Sequence, residues 1–194
     1  MLTATYTLVA LSVEQSSIRA SLKSFQKLVQ SSFRQSGELG TGQLNYAYDV
    51  MRRAYEACHW RKVDMFLVPA IREASADAGQ LLLELDTLKL SAGGALGVLA
   101  LSPRNAPVDD PARVSELCDT FDCFCQALLG RIEREEKSLF PLARGAVSGE
   151  AWFAIANQML VFDDQQHEDR LAREALAAMP TSAAPARPTH IAAH

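Results

Sequence analysis

The sequence predicts an all-α fold, and three observations carry that prediction. Apolar residues recur at steps of three and four over five stretches, with no strict alternation of the kind that marks a strand. Clusters of glycine, proline and serine separate those stretches, as expected at helix ends. The 194 residues are 48% hydrophobic, enough for one sizeable core. One helical domain over residues 1–179, followed by a tail, accounts for the chain.

The first helix is expected from residue 13, or several residues earlier, to residue 35. Ile18, Leu22, Phe25, Val29 and Phe33 form its apolar stripe, and Arg19, Lys23 and Lys27 fall elsewhere on its surface. Glycines between residues 37 and 42 break it. A second helix opens near residue 43 with Leu44, Tyr48, Met51, Tyr55 and Cys58 on one line and His59 beside that line. Pro69 is expected to kink or end it. A third helix, over residues 75–90, carries Leu81, Leu82, Leu85 and Leu88. Residues 92–101 follow, an apolar run in which Gly93, Gly94 and Gly97 each weaken a helix by about 1 kcal/mol. That run reads either as a frayed helix end or as an apolar loop. Residues 102–111 hold three prolines and form a linker, after which Asp110 is placed as an N-cap with Pro111 at the first helical position. The fourth helix then uses Val114, Leu117, Cys118, Phe121, Cys125, Leu128 and Ile132. A fifth starts near Ser148 with Glu150 in its first turn. Its line Trp152, Ala156, Met159, Leu160, Asp163, His167 and Leu171 flanks His167 with an apolar stripe and with Asp163 four residues away, so His167 is expected to be internal. Residues 180–194, rich in proline and alanine, are expected to be a disordered tail.

Charge narrows the function. A net charge of −4 and a pI near 5.6 disfavour direct nucleic-acid binding. The apolar residues 1–12 have no basic start and no small-residue cleavage site, so they are not expected to be a signal peptide. Glu84, Asp86 and Lys89 interrupt residues 81–101, which argues against a membrane span and for a cytoplasmic protein without a membrane partner. No nucleophile elbow, phosphate-cradling glycine loop or H-E-x-x-H motif is present, and no enzyme is expected. Cys58, Cys118, Cys123 and Cys125 lack the spacing of zinc knuckles and read as buried structural thiols.

The richest stretch is Arg131-Ile132-Glu133-Arg134-Glu135-Glu136-Lys137-Ser138-Leu139-Phe140-Pro141-Leu142-Ala143-Arg144. Within it, Leu128, Ile132, Glu135 and Leu139 share one helical face, so a carboxylate is aimed at the core. Residues 59–72 repeat the pattern. Leu67, Pro69 and Arg72 match Leu139, Pro141 and Arg144, while Lys62 matches Arg134 and Asp64 matches Glu136. A helix with a His-x-x-x-Glu slot that closes on E-E-x-x-L-F-P resembles the hemerythrin-like (HHE) domain family, and the resemblance spans residues 13–178. It implies a hemerythrin-like four-helix bundle, here with an additional C-terminal helix, and a di-iron site held by histidines and carboxylates. The chain departs from that pattern at each ligand pair. The first copy has His59 but Val63 in the Glu slot, and the second has Glu135 but Arg131 in the His slot. No histidine stands near Gln15 or near Asp77 and Ala78, where the family supplies further ligands. The chain looks like such a scaffold with a degenerate metal site.

No cofactor is therefore expected, with His59, Glu135, Asp163 and His167 as the residual metal candidates. Arg131 lies four residues before Glu135 and either pairs with it or covers the bundle edge with its stem. The function this suggests is a non-catalytic regulatory protein-binding module. Its partner would be a protein, in the most specific form a transcriptional regulator restrained by a bacterial quorum-sensing anti-activator. The alternative is a metal-binding sensor, or an oxygen- or iron-handling protein, with iron or another transition metal on the reduced site. Leu96, Val98, Leu99 and Leu101 are costly to leave in water, so they are expected either to form the contact patch or to pack over one end of the bundle. A homo-oligomer is also allowed.

Overall fold

The structure, a computed structural model, describes residues 2–59 and 62–178. Among them the fold is all-α, with one isolated antiparallel bridge and no strand. Helix α1 (Leu2–Leu28) runs through a π-helical turn, Val29–Phe33, into a last α turn, Arg34–Ser36. Gly37 ends it at φ 69°, a left-handed conformation that favours glycine. Helix α2 (Thr41–His59) follows, then a π-helical turn, Val63–Leu67, that leads into α3 (Val68–Ala74). Helix α4 spans Gly79–Leu101. Helix α5 (Pro111–Arg134) passes through the π-helical turn Glu135–Leu139 into α6 (Phe140–Ala146). Helix α7 is Gly149–Ala178.

Helix α5 occupies the centre, packed along α4 and touching α1 and α2. Its buried residues include the predicted stripe from Val114 to Ile132, together with Phe124 and Ala127. Phe121 is fully buried between Phe25 and Phe33, with ring centroids 5.9 and 6.1 Å away. Leu22, Val29, Met51, Ala92, Ala95 and Leu99 complete the core around it. The start of α5 is capped as the sequence implies, since Ala112 N donates to Asp110 Oδ1 at 3.1 Å with Pro111 at the first position. Two loops are tied together just outside the helices. Leu39 N donates to Val108 O at 2.8 Å, and Val108 N donates back to Leu39 O at 2.9 Å.

The two prolines of the repeat do not end their helices. Before Pro69 and before Pro141 the chain widens to π register, with Val68 N donating to Val63 O and Phe140 N donating to Glu135 O. A proline donates no backbone hydrogen bond, and its ring collides with the carbonyl four residues back. A wider turn relieves that collision and lets the helix continue. The expected kink or stop at Pro69 is thus a local change of helical register. The same device recurs at equivalent places in both copies of the motif.

Residues 92–101 are neither frayed nor a loop. They are the C-terminal half of α4, and the reason is burial: Ala92, Ala95 and Leu99 face the core and hold the glycine-rich segment helical. Gly93 has a specific neighbour, because a Cβ there would stand 2.8 Å from the Tyr55 hydroxyl. Gly94 and Gly97 have open space, with nothing within 4 Å of a built Cβ. Gly94→Ala and Gly97→Ala are therefore expected to stabilise the protein by about 0.4–1 kcal/mol each through backbone entropy. Gly93→Ala should lose that gain to the contact with Tyr55. Thermal unfolding of the three variants checks this, and equal gains at all three positions would contradict the close approach.

Two compact units divide the chain, Met1–Gln158 and Met159–His194. In the first, α7 begins with Ala151 N donating to Ser148 Oγ at 3.2 Å and buries Trp152 and Ile155. In the second, the described part of α7 exposes Leu160, Val161 and Leu171. The expected tail, residues 180–194, lies outside the described residues.

Candidate functional site

The polar residues of the core converge on Arg131. This side chain is only 1% exposed, and it is the largest fully buried one among the described residues. Its Nε donates to Glu135 Oε1 at 3.0 Å, one helical turn further along the same stretch. Its Nη2 donates to Asp64 Oδ1 across to the π-helical turn of the other motif copy. Glu135 is fully buried, and its second oxygen accepts from Gln15 Nε2 of α1 at 2.6 Å. Asp64 is exposed only at its rim, where Oδ2 lies 3.5 Å from Lys89 Nζ of α4. Two cations thus alternate with two anions through the packed helices, with an amide at the inner end.

Burial explains why the charges are paired in this way. An isolated ion in the interior costs many kcal/mol, and it persists only where opposite charge and hydrogen bonds replace water. Arg131 supplies N–H groups to two carboxylates at once, which suits a planar guanidinium and would not suit a lysine. The match is incomplete, since Arg131 Nη1 and Gln15 Oε1 are buried without a hydrogen-bond partner. Around this centre lie outer pairs that are more exposed. Arg19 Nη2 donates to Glu136 Oε2 at 2.6 Å, and Arg134 Nη2 donates to Glu84 Oε2 at 2.6 Å.

Of the two readings of Arg131 in the sequence, the geometry places it inside, on Glu135, rather than at a solvated edge. Asp163 and His167 are both exposed on α7, and His167 Nδ1 lies 2.8 Å from Arg170 Nη2. The internal position expected for His167 is corrected. Past Met159 the apolar line of α7 carries Leu160 and Leu171 at the surface, so the stripe that placed His167 inside is not a core stripe. His59 ends α2, and its side chain lies outside the described residues. Among the described residues no three of His, Cys, Asp and Glu converge as a metal would require.

Three members of the network, Gln15, Asp64 and Lys89, were not singled out as site residues. Gln15 had a readable signal. It stands four residues after Leu11 and three before Ile18, so it interrupts an apolar stripe with an amide. Asp64 was visible as the counterpart of Glu136 in the repeat, yet it is Arg131, not Arg134, that reaches it. Nothing local marks Lys89, which pairs across 25 residues of sequence.

The expected contact patch also divides. Leu99 is 1% exposed and belongs to the core, and Leu96 is half-buried against it. Val98 and Leu101 are 51% and 89% exposed. The four residues cannot act as one surface, because a helix turns Leu99 inward while its neighbours point outward. The cysteines behave similarly. Cys58, Cys118 and Cys125 are buried, whereas Cys123 is exposed. Loss of water pushes the Cys125 thiol up to about 12, with the nearby Asp122 carboxylate adding to the effect. Burial also raises Cys118. These two thiols stay protonated near neutral pH and are poor nucleophiles and poor ligands.

No helix of the described residues is long and apolar enough to cross a membrane. Comparison with protein-family models, with curated proteins and with solved structures finds no match to this chain.

Proposed function

We propose that this chain is a non-catalytic protein-binding module on a hemerythrin-like bundle with an additional C-terminal helix, and that an internal ion network stands where such a bundle would hold metal. The observation that carries this reading is Arg131. Its guanidinium lies against Glu135 and Asp64, in the slot where the motif calls for a histidine ligand. The residues do not fit a metal. Both oxygens of Glu135 accept hydrogen bonds from N–H donors, and the fixed positive charge of Arg131 repels a cation from the same carboxylates. With the core committed to its own charges, recognition falls to the surface. An acidic chain with net charge −4 suits a protein partner better than nucleic acid. A transcriptional regulator held in check by direct contact is the most specific form of this proposal.

The test has two arms. Elemental analysis of the protein purified from its native cell is expected to find no stoichiometric iron, manganese or zinc, and a chelator is expected to leave Tm unchanged. Cross-linking in that cell is expected to trap a regulator protein on the wild-type chain. Stoichiometric metal with a chelator-dependent Tm would overturn the reading in favour of the metal-dependent alternative.

A further inference from the structure

Among the described residues, helix α1 carries a face on which nothing packs. Leu2, Tyr6, Val9 and Val13 are exposed at 73, 69, 55 and 67%, and their steps of four, three and four set them on one line. The line continues, again by four, three and four, through Ser17, Ala20 and Ser24, all exposed. There it enters a groove of about 660 Å³ whose opposite wall on α2 includes Tyr46, Val50 and Ala54. One half of the line is large and protruding, and the other half is small and hollow.

The two halves are arranged as a palindrome about Val13. Leu2 and Ser24 are each eleven residues from it, Tyr6 and Ala20 seven, and Val9 and Ser17 four. We propose that α1 is the contact face of an antiparallel homodimer whose two-fold axis passes at Val13. In that register Leu2, Tyr6 and Val9 of one copy meet Ser24, Ala20 and Ser17 of the other, and the two Val13 side chains meet each other. Each large side chain then faces a small one, the condition for close helix packing.

Charge and polarity agree with this register. Residues 2–13 contain no charged side chain, and they face the half of the partner helix that carries Arg19, Lys23 and Lys27. No charged residue lies on the line itself, and the one acid beside the axis, Glu14, is partly buried. Among the described residues Arg53 is the only charged one lining the groove, so it meets no acid or base from the uncharged half. Beside the line, the Ser21 and Ser16 hydroxyls are already used within the helix, with Ser21 Oγ donating to Ser17 O at 3.2 Å and Ser16 Oγ to Ser12 O at 2.9 Å. Covering them costs little hydrogen bonding. The line is about 33 Å long. A stable interface buries roughly 800 Å² per partner, which this line would share with the α2 wall of the groove.

The experiment uses the full chain. Sedimentation equilibrium is expected to show a dimer for the wild type and a monomer for Val13→Glu, with helical circular dichroism unchanged because Val13 is exposed in the single chain. Oxidative cross-linking in a Cys123→Ser background then reads the register. Val13→Cys should join two copies efficiently, while Ser24→Cys should not, since its mates lie near opposite ends of the contact. Cross-linking at both positions would mean a parallel pair and overturn the proposal. A dimer without a Val13→Cys cross-link would place the contact on another face and overturn it as well. A monomeric wild type would do the same, and would leave the stripe to another occupant such as residues 179–194 of the chain itself.

Discussion

Arg131→Ala is expected to destabilise the protein by about 3–5 kcal/mol, the cost of removing one partner from a buried ion pair. The variant leaves Glu135, fully buried, without the cation beside it, and it also strips Asp64 of its inner partner. Glu135→Ala should be costly for the complementary reason, since Arg131 would keep its charge with only the Asp64 side of its fork engaged. The double variant Arg131→Ala/Glu135→Ala removes both charges together. It should cost less than the two single losses combined, with a coupling above about 0.5 kcal/mol. Arg134→Ala makes a control on the same stretch, because its bond to Glu84 is at the surface and its loss should leave stability nearly unchanged. Urea unfolding of these variants decides the matter. Strict additivity of Arg131→Ala and Glu135→Ala would mean that the pair is geometric only and contributes nothing as a unit.

Much of this arrangement was legible because it repeats a local pattern. The spacing Leu128, Ile132, Glu135, Leu139 placed a carboxylate on an apolar face, and i, i+4 spacing put Arg131 within reach of it. Local periodicity could not reveal what crosses between helices. Asp64 joins the network from the second π-helical turn and Lys89 from α4, and only the packed core brings them together. The misplacement of His167 has a related cause. A 3.6-residue stripe shows which side chains share a face, and nothing in it says whether that face meets another helix. Val9 and Val13 on α1 and Leu160 on α7 are apolar, in register and exposed. In α4 the error ran the other way. The intrinsic cost of Gly93, Gly94 and Gly97 points to a frayed helix end or an apolar loop, whereas burial of Ala92, Ala95 and Leu99 outweighs it.

That same segment supports the second large effect. Leu99→Asp is expected to unfold the protein or bring it close to unfolding, and Leu101→Asp, two residues on, is expected to leave its stability within about 0.5 kcal/mol. The difference follows from direction along one helix. Leu99 is 1% exposed against the central cluster, and the neighbouring Arg104 is engaged elsewhere, with Nη1 donating to the Leu99 backbone O at 2.9 Å and its guanidinium over the Tyr48 ring. Truncating a buried leucine already costs about 2–5 kcal/mol. A buried unpaired carboxylate adds a desolvation penalty on top, and the sum approaches the about 5–15 kcal/mol by which a domain of this kind is stable. Leu101 is 89% exposed at the last turn of α4, where an aspartate remains in water. Circular dichroism and thermal unfolding of the two variants measure the contrast, and a folded Leu99→Asp with unchanged Tm would refute its place in the core. Once the fold of Leu101→Asp is verified, that variant and Val98→Asp become the clean probes of partner binding. A selective loss of the trapped regulator with Tm intact would assign the exposed edge of α4 to the partner, while full retention would move the contact elsewhere on the surface.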